Sequence, residues 1–566
     1  MLKAKTFLFG VISAFFILST NCFLYAQTKK TTLPDTTKKA TQKLQRKQDL
    51  PKLELPDVII YGTDRAIRVS GDKLNRPDED IKLVAPKINY QPLTKDLQLQ
   101  NHKGYFQSQQ RSIHSKTMLQ LDAGRYQQLN IEASRWNEAE QYNYSVQASY
   151  ERSNGQFKNS QYYQGSIKGQ LGICLSPNFI ISSRGKFRLF DYGLYGAQFE
   201  NLQRKTSDGK LKIDAQWSIS AKQSANFSVY LQQNNCKDNN ASNYQSKLIT
   251  RNIGLISLYQ TKYRSIPFFI RGLYEYQKLN KVTLDAINSQ QYIQIKSWSS
   301  FKIKKFLIIK PGILFENLDL SDSFSAYQFS PDVEMIVTPI RKLGIVLRGT
   351  RGYYPFHYTD LCERNSFVCH KINFIPITKE LELKLGIEYH PSSTVSLTGE
   401  VTRQNWRNYA FWSREEETGL FQLTSLNKAI LTIINFQSRF TISPKLNFNA
   451  GIQINFDTIK SDSLAINDNH LPYLQRLILP FNFEYKINES MKTLLSFLWI
   501  GPRYLDLTND EQLSTFGLLS LYFEKQFHKN ISVFVEGNNL LNQKYEFWQH
   551  YPAMGLYFEA GLKGSW

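Results

Sequence analysis

From about residue 105 onward the chain alternates apolar and polar positions with a period of two, the pattern of strands with one apolar and one polar face. Four stretches keep it without error. In Leu211 to Lys222 the series Leu211, Ile213, Ala215, Trp217, Ile219, Ala221 interleaves with Lys212, Asp214, Gln216, Ser218, Ser220, Lys222. Leu446 to Asp457 does the same with Leu446, Phe448, Ala450, Ile452, Ile454 and Phe456, and Val395 to Thr402 and Leu381 to His390 obey the same rule. These runs of roughly 8 to 12 residues are about twice the mean soluble strand and match the 9 to 11 that cross a bilayer at a tilt.

Turn signals punctuate the same region: Ser176-Pro177-Asn178, Lys222 to Ala225, Ser265-Ile266-Pro267, Lys302 to Lys305, Pro339 to Lys342, Pro391-Ser392-Ser393, Ser443-Pro444-Lys445, Asn488-Glu489 and His528-Lys529-Asn530. They recur roughly every 37 to 52 residues, and each interval holds two long strands joined by a polar, aromatic-rich loop. Nine signals bound eight hairpins; the tail after Asn530 adds one and the run before Pro177 adds two. Eleven hairpins predict an all-β fold, a transmembrane antiparallel β-barrel of about 22 strands of outer-membrane type, short turns at one end and long loops at the other. A soluble propeller also repeats about every 40 to 45 residues, but needs four short strands per repeat where only two long ones fit.

Composition is consistent with one large body. The chain has 566 residues with 42% hydrophobic and 14% aromatic content, and lacks a Pro/Gly/Ser-rich linker after about residue 100. At the N-terminus, Lys3 and Lys5 precede the apolar run Phe7 to Leu18, which predicts a signal peptide over 1–26, cleaved after Ala26. Past residue 27 no stretch approaches the roughly 18 to 20 apolar residues of a membrane-spanning helix. Residues 27–104 are polar and basic and read as a periplasmic segment, with one extended apolar island, Leu55 to Gly62, suited to pairing with a partner sheet. The balance of 69 Lys plus Arg against 48 Asp plus Glu, net +21, fits lipopolysaccharide phosphates as well as anionic substrates. Nucleic acid would explain the charge but not the export signal.

The C-terminal strand, Gly555 to Trp566, sets Leu556, Phe558, Ala560, Leu562 and the terminal Trp566 on one face. It resembles the assembly signal of outer-membrane barrels, which implies recognition by the barrel-assembly machinery through Phe558, Ala560, Leu562 and Trp566. Val533 to Asn542, containing Asn539-Leu540-Leu541-Asn542, then Tyr545 and Tyr551-Pro552-Ala553-Met554-Gly555, resembles the closing hairpin of TonB-dependent receptors. Gly501-Pro502-Arg503-Tyr504, and Glu382 with Gly386 and Tyr389, are similar to that family's barrel. The island Asp57, Val58, Ile59, Ile60, Tyr61 and Gly62 resembles its TonB box, so the resemblance implies TonB as partner and ligand uptake across the outer membrane of a Gram-negative-type bacterium. The chain departs from the family in two ways. Leu556 follows Gly555 and Trp566 ends the chain, where the family has arginine and phenylalanine; and only some 40 residues separate Gly62 from the barrel, too few for the family's globular plug. Residues 27–104, the long loops 350–378, 405–425 and 457–472, or a separate plug or lipoprotein partner are left to fill the lumen. The alternative is a plugless passive channel or the membrane scaffold of a partner complex.

Candidate chemistry lies in the loops. Tyr353, Tyr354, Trp406, Tyr409 and Trp412 suit stacking on a ligand, and equally the interfacial aromatic girdle of any barrel, the reading favoured here. Cys362 and Cys369 are expected to form a loop disulfide rather than a metal site with His370. The run Glu415-Glu416-Glu417 and the group Asp462, Asp468, His470 read as solvated loop charge before a cation site. There is no H-E-x-x-H, G-x-S-x-G or phosphate-cradling glycine loop, so no enzyme, cofactor or metal is expected.

Overall fold

A computed structural model describes residues 114–139, 141–240, 244–281, 286–321, 324–371, 374–461 and 463–566. The signal peptide, the segment 27–104 and its box-like Asp57 to Gly62 lie outside the described residues, as does Asp462.

Consecutive strands of the wall pair antiparallel, and the first, His114–Gly124, pairs with the last, Tyr557–Ser565, which closes the sheet. Phe301–Lys304 continues Ala286–Ser299 against the same neighbour, Leu307–Leu320, so the closed wall has 22 staves. Closure removes both sheet edges and lets the wall's backbone groups bond within the protein, as a hydrocarbon surrounding demands. The side-chain pattern is inside out relative to a soluble fold. Phe187, Leu211, Ile213, Trp217, Leu231 and Ile253 stand exposed on the outer face, whereas Arg188, Asp208, Asp214, Glu316 and Asp332 are buried on the inner one. An exposed apolar belt of this extent is a lipid-facing surface. No described helix is long and apolar enough to cross a membrane, and the strands do the crossing.

All nine turn signals fall at or beside two-residue turns on one end of the barrel, among them Pro177–Asn178, Pro444–Lys445 and Lys529–Asn530. The other end carries the long connections 354–377, 461–476, 501–515 and 539–556. Strands there outrun the membrane: Val395–Arg414 has 20 residues and Phe421–Ser443 has 23, against the roughly 9 to 11 a crossing needs.

The closing seam is tightly packed. Trp566 exchanges backbone bonds with Thr117, N–H to O at 2.6 and 3.0 Å, and Phe558, Ala560 and Leu562 all face outward. Gly561 sits between the first strand and Ile531–Asn538, where a Cβ would meet Asp122 Cβ and Leu121 O at 2.5 Å and the Phe534 ring at 2.7 Å. Gly561→Leu is therefore expected to prevent closure, and the faster gel migration of the unheated, closed barrel should be lost; normal migration would contradict this packing.

Candidate functional site

Residues 354–377 form a loop that folds over the mouth. Pro355 and Pro376 bias the residues before them, Tyr354 and Ile375, toward extended backbone, and the Tyr354 N–H donates to Ile377 O at 2.9 Å to pinch the neck. Between them Tyr358–Arg364 forms a single short helix, α1, whose Asp360 at the start and Arg364 at the end match the helix dipole. Tyr358, Thr359 and Leu361 on α1 are buried, as are Phe356, Phe367, Val368 and Phe374. A surface loop with this many apolar side chains must dock on something.

It docks across the mouth. The loop leaves the wall beside Leu343–Tyr353, yet Glu363 pairs with Arg188 at 3.1 Å on Phe179–Gly193, eight staves away. The Ser366 carbonyl accepts from Tyr192 Oη at 2.7 Å and from Arg204 Nη1 at 2.8 Å. Arg204, 1% exposed, is itself clamped to Asp238: Nε to Oδ1 and Nη2 to Oδ2 are both 2.6 Å. On a third side Phe421 N–H donates to Phe367 O at 2.9 Å and Cys369 N–H donates to Phe421 O at 2.6 Å, a short parallel bridge onto Phe421–Ser443. Gln290 Nε2 donates to Phe356 O at 3.2 Å, and His357 lies 3.5 Å from Glu275.

Neighbouring loops lock over it through aromatic contacts. Phe367 stacks on Tyr551 with centroids 3.6 Å apart, and Trp548 packs on Phe421, Tyr473 and Trp412 at 5.0, 5.1 and 5.8 Å. Gln198 N–H donates to Thr418 O at 2.9 Å, and Lys371 pairs with Glu415 at 2.6 Å and Glu417 at 3.3 Å, so two carboxylates of the acidic run tie down the loop. Arg503, buried, donates Nη2 to Glu546 O at 2.7 Å under Phe516 and Phe547, and burial pushes its guanidinium down to about 10.

This geometry corrects several expectations. Trp406, Tyr409 and Trp412 are almost wholly buried and belong neither to a girdle nor to an open ligand surface; they form the floor of the loop cluster, with Tyr354 edge-on to Trp406 at 5.4 Å and Tyr353 packed at its margin. A warning lay in Tyr409-Ala410-Phe411-Trp412, four apolar residues in a row where alternation stops, just after Asn408 turns left-handed at φ 52°. Cys362 and Cys369 are free thiols rather than a disulfide. Cys362 sits on α1 beside Tyr358, while the Cys369 backbone is tied to Phe421 on the wall. Burial pushes their thiols up to about 11 and about 12. Asp468 pairs with Lys460, and His470 stacks on Tyr504 and faces Asp457 at 3.3 Å, so Asp468 and His470 are not a joint cation site. His370 meets not Cys362 or Cys369 but Cys236 on the wall, with Nε2 3.1 Å from Sγ.

No protein-family model matches the sequence, and comparison with curated proteins finds no match. Solved structures do match. The barrel is similar to a structure titled copper transporter OprC, with a TM-score of 0.64 at 11% identity over 81% of each chain. It is similar to the FrpB iron transporter from Neisseria meningitidis (F5-1 variant), 0.66 at 8% identity over 81% of this chain and 83% of that one. It is also similar to the siderophore receptor PiuA from Acinetobacter baumannii, 0.64 at 10% identity over 81% and 82%. The likeness is one of fold, a closed antiparallel barrel shared with these structures.

Proposed function

We propose that this chain is an outer-membrane uptake receptor whose mouth is closed by its own loops and opened by its ligand, in the manner of a TonB-dependent transporter. The observation that carries the proposal is the docked loop 354–377. A 22-stave wall encloses a wide lumen, and a porin would leave it open, whereas here Ser366 and Glu363 are fastened to the far wall and Phe367 to the loop 539–556. A gated mouth suits a ligand too large or too scarce for diffusion. The similar structures titled as copper, iron and siderophore proteins favour a metal chelate as that ligand. In this reading the chain is not an enzyme, works in the outer membrane among lipid and lipopolysaccharide, and couples to TonB through Asp57 to Gly62.

Deleting Asp57 to Gly62 tests the reading. Ligand-dependent growth or accumulation should fall to the level of a strain lacking the gene, with the amount of folded barrel in the membrane unchanged. Undiminished uptake would sink TonB coupling and favour a passive channel or the scaffold of a partner complex.

A further inference from the structure

Cys236 and Asp238 project from the strand Gln223–Asn239 and His370 from the loop 354–377, and one donor atom from each lies within 4.8 Å of the others. All three side chains are buried, and the gating reading uses none of their donor chemistry except the Asp238 clamp on Arg204. We propose that Cys236, Asp238 and His370 form a Zn²⁺ site that clips the loop to the barrel wall.

Thiolate, imidazole and carboxylate together are a zinc donor set, the sulfur disfavouring the hard ions Ca²⁺ and Mg²⁺. The spacing suits tetrahedral geometry. His370 Nε2 lies 3.1 Å from Cys236 Sγ and 3.6 Å from the Asp238 carboxylate, and zinc bond lengths of about 2.0 to 2.3 Å imply donor separations of roughly 3.3 to 3.6 Å. Small side-chain shifts bring the three onto one ion, leaving the fourth position to a water or a small anion.

The surroundings hold the ligands as outer partners of a metal site do. Ser246 Oγ meets His370 Nδ1 at 2.7 Å, which fixes the ring and turns Nε2 toward the sulfur. Arg204 holds both Asp238 oxygens at 2.6 Å, while a carboxylate oxygen retains a second lone pair for the ion. With Nδ1 held by Ser246, the Nε2 lone pair of a neutral ring is the one free to bind an ion. Without metal, Cys236 Sγ and His370 Nε2 share one hydrogen bond at 3.1 Å. With it, the S–H bond breaks, sulfur and nitrogen both bind the ion, and one proton leaves to solvent per ion bound. With its three ligands enclosed under the docked loop, the ion acts as a fastener rather than as passing cargo.

The test uses the purified, folded full chain, stripped of metal by a chelator, kept reduced and titrated with CoCl₂, whose thiolate complex absorbs strongly in the near ultraviolet. The expected result is a charge-transfer band that saturates at one ion per chain, is displaced by ZnCl₂, survives in Cys174→Ser and is lost in Cys236→Ser. Ser246→Ala should weaken binding about tenfold or more. Should Cys236→Ser fail to fold, His370→Gln carries the test, with at least a tenfold loss of Co²⁺ affinity expected. No band in the unaltered chain, a band that persists in Cys236→Ser, or unchanged affinity in His370→Gln would overturn the site. None of these readouts depends on transport, so the site stands or falls apart from the proposed function.

Discussion

Replacing Arg204 with alanine is expected to unfasten the mouth. The substitution removes the bidentate pair to Asp238 and the bond to the Ser366 carbonyl, and leaves the Asp238 carboxylate buried at 1% exposure without its main counter-charge. Stranding one partner of a buried ion pair costs about 3 to 5 kcal/mol. At about 1.4 kcal/mol per tenfold, that is a hundredfold or greater shift of the loop from docked to undocked. In planar bilayers the single-channel open probability should rise accordingly, and the loop should become open to proteolysis. Arg204→Met with Asp238→Leu should be milder than Arg204→Ala, because it strands no charge. A double variant as open as the single one would mean that the charge pair is not the fastener.

Trp548→Ala should have an effect of similar size by a different route. Trp548 lies on the loop 539–556 and touches Trp412, Phe421 and Tyr473, so it joins three separate segments above the mouth. Truncating a buried tryptophan costs about 3 to 5 kcal/mol, through lost apolar contact and the cavity left behind. The wall lies below the cluster and should close normally, so migration of the unheated barrel should be unchanged while conductance rises. Trp548→Phe keeps most of the ring contact and should recover most of the closure. Loss of the closed barrel in Trp548→Ala would show that the cluster supports the wall itself rather than only the loops.

The wall was legible in the sequence because its causes are local. A two-residue period dictates which face of Leu211 to Lys222 meets lipid, and prolines and polar pairs such as Pro444-Lys445 mark the short turns within a residue or two. The mouth was far less legible. Arg204 and Ser366 are 162 residues apart, and His370 and Cys236 are 134 apart, so no spacing rule brings them together. The paired spacing of Cys362 and Cys369 suggested a disulfide, but the fold gives each thiol a different neighbour. The buried Trp406, Tyr409 and Trp412 misled for a related reason. They lie on a strand long enough to pass beyond the membrane, where aromatic residues at strand ends meet other loops instead of lipid headgroups.

In the proposed function, loops of the barrel and not the N-terminal segment close the mouth. Single-channel conductance of the barrel refolded without residues 27–104 tests it most directly, measured with loop 354–377 intact and with 356–375 replaced by a short Gly-Ser linker. A barrel that stays closed with the loop and conducts as a wide pore without it is the predicted result. A wide, permanently open pore with the loop intact would contradict the account and assign closure to residues 27–104 or to a partner.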